Sequence, residues 1–175
     1  MRDKPASMLN YSAKGTVPVL VTTDAQVIDE SRDIISWALQ HNDPEQLLRA
    51  DLLPLNQLID QNDGEFKTNL DRYKYADRHP EKPQQEYRRE AEKFLALLEQ
   101  RLSNHAYLMD ARPSIADIAI FPFIRQFALV DTTWFDNSQY KNVQRWLDSF
   151  LSSPIFERCM QKQAPWRCGD KPVVF

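Results

Sequence analysis

The sequence predicts a mainly helical chain with one short β-hairpin near its start. Three observations carry that expectation. Eleven prolines against three glycines favour helices with proline-marked ends over a β architecture. From about Asn42 onward, apolar residues recur at helical spacing in one segment after another. Before that point only two short stretches read as strands, Val17–Val21 and Val27-Ile28.

In the first stretch Val17, Val19 and Val21 alternate with Pro18, Leu20 and Thr22, and a polar turn follows at Thr22–Gln26. Val27-Ile28 gives the second strand, and Asp29-Glu30-Ser31 opens a helical run through Trp37 and Leu39. A break at Asn42-Asp43-Pro44-Glu45 is the expected domain boundary, dividing the chain into 1–42 and 43–175. Ala50 to Gln61 places Leu52, Leu53, Leu55, Leu58 and Ile59 at helical spacing around Pro54. After Asn62-Asp63-Gly64 a separate run carries Phe66, Leu70, Tyr73 and Tyr75, ending at Asp77–Pro80. Between Gln84 and Leu102, residues Tyr87, Ala91, Phe94, Leu95, Leu98 and Leu102 form one apolar stripe. Ser114 and Asp117 form a capping box with Asp in place of Glu, and Pro113 and Ile118 sit where a hydrophobic staple would close. The nearly all-apolar run Ile118–Val130 behind it predicts a central helix, kinked at Pro122. Asn142–Phe150 is amphipathic, Pro154–Met160 starts a last short helix, and the tail Trp166–Pro172 is irregular.

A net charge of −3 gives no electrostatic footprint for nucleic acid or an anionic membrane. No stretch approaches the roughly 18 apolar residues of a spanning helix, and no secretory signal follows Met1, so a cytoplasmic chain is expected. Cys159 and Cys168 have the wrong spacing for a redox pair and no zinc-ligand cluster around them, so they read as free or buried thiols and no metal is expected. His41, His79 and His105 are scattered without a carboxylate or cysteine partner, and read as surface or helix-end residues.

The chemistry of the chain lies in Lys14–Ser31. A proline cannot donate to a ladder, so Pro18 marks an edge or a bend. A cis Val17–Pro18 bond would turn the Val17 amide and carbonyl toward an extended ligand. Glu30-Ser31 then stands at a helix start, whose unpaired N–H groups attract a carboxylate. The Ser hydroxyl adds a donor and the Glu can pair with an ammonium, which together suit the α-amino-acid end of a ligand. Read by itself, the dipeptide favours the plainer reading that Asp29 or Ser31 caps the helix, worth about 1 kcal/mol, and the Val-Pro strand in front reverses that preference.

Val-Pro-Val-Leu followed by Asp-Glu-Ser and a helix resembles the glutathione-site half of the cytosolic glutathione transferase superfamily. The resemblance implies a partial thioredoxin-like hairpin and helix, followed by the family's all-α C-terminal bundle, which the capping box at Ser114 also resembles. It implies that Val17, before Pro18, bonds the cysteinyl unit through its backbone, and that Glu30 and Ser31 hold the γ-glutamyl end. Asp3-Lys4-Pro5 and Ser12–Gly15 resemble omega-like members, which gives Lys4 the glycine carboxylate. Glutathione is then the co-substrate, with a small electrophile or a mixed disulfide as its partner, and a homodimer is an assembly the family allows.

The resemblance also implies an element not found here. The family's first strand, catalytic loop and helix precede this motif, and the loop carries the Cys, Ser or Tyr that activates the thiol. No catalytic residue can be assigned by position, so the chain reads as truncated and weak or no turnover is expected. A non-catalytic binding or scaffold protein, or an incomplete chain without activity of its own, are the alternatives. About 40 residues of a two-layer domain cannot bury enough surface to stand alone, so that half should lean on the rest of the chain or on a partner. For the second-substrate pocket the resemblance points to Tyr73, Tyr75, Phe123, Phe127 and Trp134. Aromatics at helical spacing more often fill a core, and Tyr73 and Tyr75, among polar neighbours, are the exceptions expected on a partly wet face.

Overall fold

A computed structural model describes residues 4–49, 51–171 and 173. Ala50, read above as the start of a helix, Asp3 of the Lys-Pro motif and Pro172 of the tail lie outside those residues. Cα packing separates two compact units, Met1–Asn42 with Cys159–Phe175, and Asp43–Arg158.

The first unit opens with α1 (Ala6–Tyr11), for which the sequence shows no periodic apolar pattern. Pro5 supplies its N-cap, and the Pro5 carbonyl accepts from the Met8 and Leu9 amides. Next come β1 (Leu20–Val21) and β2 (Val27–Ile28), paired antiparallel with Leu20 opposite Ile28 and Val21 opposite Val27. The first strand is shorter than the alternation predicts, because Pro18 has no N–H to give a ladder. The turn between the strands is held by Thr22, whose amide donates to the Gln26 carbonyl at 2.9 Å, while its hydroxyl oxygen accepts the Gln26 amide at 3.0 Å. The unit continues into α2 (Ser31–His41), where His41 Nδ1 lies 2.7 Å from the Trp37 carbonyl.

The second unit is all helical. α3 (Leu53–Gln61) takes Pro54 in its first turn, where the missing N–H costs nothing. The Asn62-Asp63-Gly64 stretch does not break the chain. It is part of a π-helical turn, Asn62–Phe66, that carries α3 directly into α4 (Lys67–Lys74), with Phe66 buried on the inner side. A 3₁₀ turn at Ala76–Arg78 leads toward α5 (Gln84–Asn104), whose buried residues are the six of the apolar stripe. α6 (Ile115–Ala128) follows the capping box and runs uninterrupted through Pro122, which sits on its exposed side. α7 (Thr132–Asn137), capped by Asp131, is too short to be legible from spacing. α8 (Lys141–Leu151) buries Val143, Trp146 and Leu147, and α9 (Pro154–Cys159) closes the series.

α4 and α8 both pack against α5, and α3 and α4 pack on α6. The centre is aromatic: Phe66 lies 4.9 Å from Phe94 and 5.9 Å from Phe127 between ring centroids, and Phe121 packs on Phe150 at 5.0 Å. Among the described residues no helix is long and apolar enough to cross a membrane.

Candidate functional site

In the first unit, local geometry gathers the Lys14–Ser31 residues around the hairpin. Gly15 sits at φ +59°, where a side chain is strained, and an added Cβ would meet Leu9 Cδ2 at 3.3 Å. Its carbonyl accepts from the Lys4 ammonium, so Lys4 is tied to the loop that leads into Val17. The Val17–Pro18 peptide bond is cis. The Val17 amide and carbonyl take no protein partner among the described residues, and Val17 is 46% exposed.

The β1–β2 ladder itself ends at Leu20 and Ile28, with Val17-Pro18 before the one strand and Glu30-Ser31 after the other. Glu30 is the N-cap of α2 by backbone position, with no cap bond from its side chain, and Ser31 is the first helical residue. Neither residue therefore spends its side chain on capping, which was the plainer alternative for this pair. Both are exposed.

Two residues to which the sequence assigns no role of their own, Ser12 and Lys14, complete the constellation. Ser12 is 3% exposed and donates its hydroxyl to Asp29 Oδ2 at 2.7 Å. Lys14 Nζ bridges Asp29 Oδ1 at 3.1 Å and Glu30 Oε1 at 2.8 Å. The Ser12 hydroxyl first, and the Lys14 ammonium second, hold the Asp29 carboxyl below its ordinary range. Glu30, then Asp29, raise the Lys14 ammonium in return. No periodic signal links residues 15 to 17 positions apart, so only the hairpin's geometry exposes this chain of contacts. A shallow cavity of about 420 Å³ lies alongside, lined by Gln26–Asp29 and by Asp33, Ser36, Trp37 and Gln40 of α2. Its lining shares Asp29 with the constellation but not Val17, Glu30 or Ser31.

The aromatics named for a second substrate lie in the other unit. Tyr73 is only 3% exposed, not half-wet, and stacks on the fully buried Phe127 at 5.3 Å. Burial pushes the Tyr73 phenol up from its ordinary pKa. Its edge lines a polar cavity of about 340 Å³ together with Gln84, Gln85, Arg88 and residues 129–132. Trp134 is half-buried, with the Arg88 guanidinium 4.3 Å above its ring and Phe127 5.9 Å away. Tyr75 is half-exposed between Lys74 at 5.0 Å and Arg78 at 4.7 Å, and Lys67 stands 5.1 Å over half-exposed Phe123. Tyr73 and Phe127 are thus core residues, while Tyr75, Phe123 and Trp134 keep an accessible face.

Cys159 and Cys168 are free and exposed. Among the described residues no group of three or more His, Cys, Asp or Glu could hold a metal ion.

Comparison with known proteins gives a consistent picture. The model for the glutathione S-transferase C-terminal domain matches residues 57–149, and the one for the N-terminal domain matches residues 1–40. No curated protein matches. Solved structures share the fold at low identity. A Burkholderia graminis glutathione transferase, crystallised with two glutathione molecules per subunit, is 21% identical with a TM-score of 0.73, covering 91% of this chain and 73% of its own. A Pseudomonas fluorescens family member, also with two glutathiones bound, is 24% identical at a TM-score of 0.68, with 88% and 74% covered. A Drosophila melanogaster glutathione S-transferase is 20% identical at a TM-score of 0.71, with 88% and 72% covered.

Proposed function

This chain belongs to the glutathione S-transferase family, and on that premise we propose that it binds glutathione along the Val17 edge and at the start of α2. The Val17 amide and carbonyl pair with the cysteinyl unit. Glu30 takes the γ-glutamyl ammonium, and Ser31 with the first free amides of α2 takes the neighbouring carboxylate. Lys4, close to that loop, reaches the glycine carboxylate. The observation that carries the reading is an unpaired backbone edge at Val17, just before β1, in the same unit as an acid–hydroxyl pair at the start of α2 whose side chains cap nothing. Two relatives of the same fold hold glutathione in their crystals, which supports the choice of ligand.

At the ligand thiol the chemistry of the full-length family is conjugation to an electrophile, or exchange with a mixed disulfide, and no residue of this chain is assigned to activate that thiol. Tyr75, Phe123 and Trp134 are the accessible aromatics of the proposed second-substrate wall, with Tyr73 and Phe127 behind them. A cytoplasmic setting and a homodimer belong to the same reading.

Retention on glutathione resin tests the site. Wild type binds and is released by free glutathione, while Glu30→Ala and Ser31→Ala wash through earlier. Equal retention of all three removes the site.

A further inference from the structure

We propose that Lys14 is a specificity-determining residue of this site: its ammonium holds the Glu30 carboxylate, and a ligand ammonium must replace it there. The inference rests on the reading of Glu30 and Ser31 as the γ-glutamyl end.

The geometry is that of an exchangeable ion pair. Lys14 Nζ is 2.8 Å from Glu30 Oε1, and the Glu30 side chain is 63% exposed, so an incoming cation reaches the same carboxylate from solvent. Lys14 is not stranded when Glu30 is taken. Asp29, 3.1 Å away and itself fixed by the buried Ser12 hydroxyl, keeps the ammonium paired. Exchange therefore breaks one contact of Lys14 and leaves the other. A γ-glutamyl ammonium gains Glu30 only at the expense of Lys14, which offsets part of its contribution to affinity. A ligand with a carboxylate there but no ammonium leaves the Lys14–Glu30 pair intact and loses little. Lys14 thus narrows the preference of the site for γ-glutamyl over glutaryl thiols.

Calorimetric titration of the full chain with glutathione and with glutaryl-cysteinyl-glycine, which lacks only the α-ammonium, tests this. The readout is the ratio of the two dissociation constants, in which the carboxylates common to both ligands largely cancel. Lys14→Met raises the preference for glutathione roughly two- to five-fold, the range of an exposed ion pair. Lys14→Arg keeps the wild-type ratio, and Lys14→Met combined with Glu30→Gln abolishes the gain. A ratio unchanged or lowered by Lys14→Met, while Glu30→Gln still weakens glutathione, overturns the role of Lys14 and leaves the site standing. If Glu30→Gln and Ser31→Ala change neither ligand, the site itself fails and the role of Lys14 with it.

Discussion

A hydroxyl held almost out of water, as that of Ser12 is, must find a partner, and here the partner is the carboxylate of Asp29. That single bond does more than the Lys14 ammonium to hold the Asp29 carboxyl below its ordinary pKa. Because the folded carboxyl titrates below its unfolded value, its contribution is present at neutral pH and is lost as acid passes through the folded midpoint. In an NMR titration of the Asp29 side-chain carbon, Ser12→Ala moves the midpoint up toward the ordinary carboxylate range. Lys14→Met moves it up by less, and equal midpoints in all three proteins would contradict the assignment. The proposed site residues legible in the sequence were those of a contiguous motif: Val17 and Pro18 in a bent edge, Glu30 and Ser31 at a helix start. Ser12 and Lys14 were not, since their partners are brought near only when the hairpin folds. Tyr73 misled for a related reason. Charged neighbours along the chain lie on a different helix face, so Arg72 and Lys74 are exposed while Tyr73 between them points inward with Leu70 and Phe66.

At the scale of the element, helix ends decide the second unit. Asp117, wholly buried, accepts four hydrogen bonds: from the Ser114 amide at 2.9 Å, the Ser114 hydroxyl at 2.7 Å, the Leu108 amide at 3.0 Å and Trp146 Nε1 at 2.9 Å. One carboxylate thus caps α6, fixes the loop before it and anchors α8. Burial pushes the Asp117 carboxyl up, against the pull of those four donors. Asp117→Ala strands all of them, and the cost is about 3–5 kcal/mol, since a buried donor left unsatisfied costs about 1–3 kcal/mol. Urea denaturation measures it, and a loss near the roughly 1 kcal/mol of an ordinary cap would show that the wider network contributes nothing. α8 is capped from outside itself: the Glu99 carboxylate of α5 accepts the Asn142 amide at 3.0 Å and the Val143 amide at 2.9 Å. Glu99→Ala costs about 1–2 kcal/mol by the same measurement, and no change would mean that water replaces the cap. The box at Ser114 was legible because its two residues are three apart on one helix. Trp146 and Glu99 were not, since nothing local marks a cap supplied by another helix. The π-helical turn escaped notice for a different reason: Asn-Asp-Gly reads as punctuation, yet Phe66 behind it packs inward and keeps the helix going.

For the whole molecule, the distribution of buried apolar side chains sets the order of stability. Among the described residues, every fully buried hydrophobic side chain lies between Leu55 and Leu147, inside the second unit. The first unit has Ser12 as its buried residue among those described and a ladder of two paired positions, which is too little to hold a domain by itself. The helical periodicity that located the core in the sequence therefore also predicts how the protein opens. Core amides such as those of Leu95, Leu98, Ile120 and Ile124 exchange with solvent hydrogen only through global unfolding. The amides of β1 and β2 exchange through local opening, orders of magnitude faster and with little dependence on denaturant. Native-state hydrogen exchange across a urea series separates the two classes. Saturating glutathione then slows exchange in the first unit, because a ligand that binds only the closed form stabilises it in proportion to the logarithm of its concentration over its dissociation constant. Hairpin amides as protected as Leu98 in the free protein would mean that the first unit owes its order to more than the contacts described. Hairpin exchange indifferent to glutathione would place the ligand elsewhere on the chain.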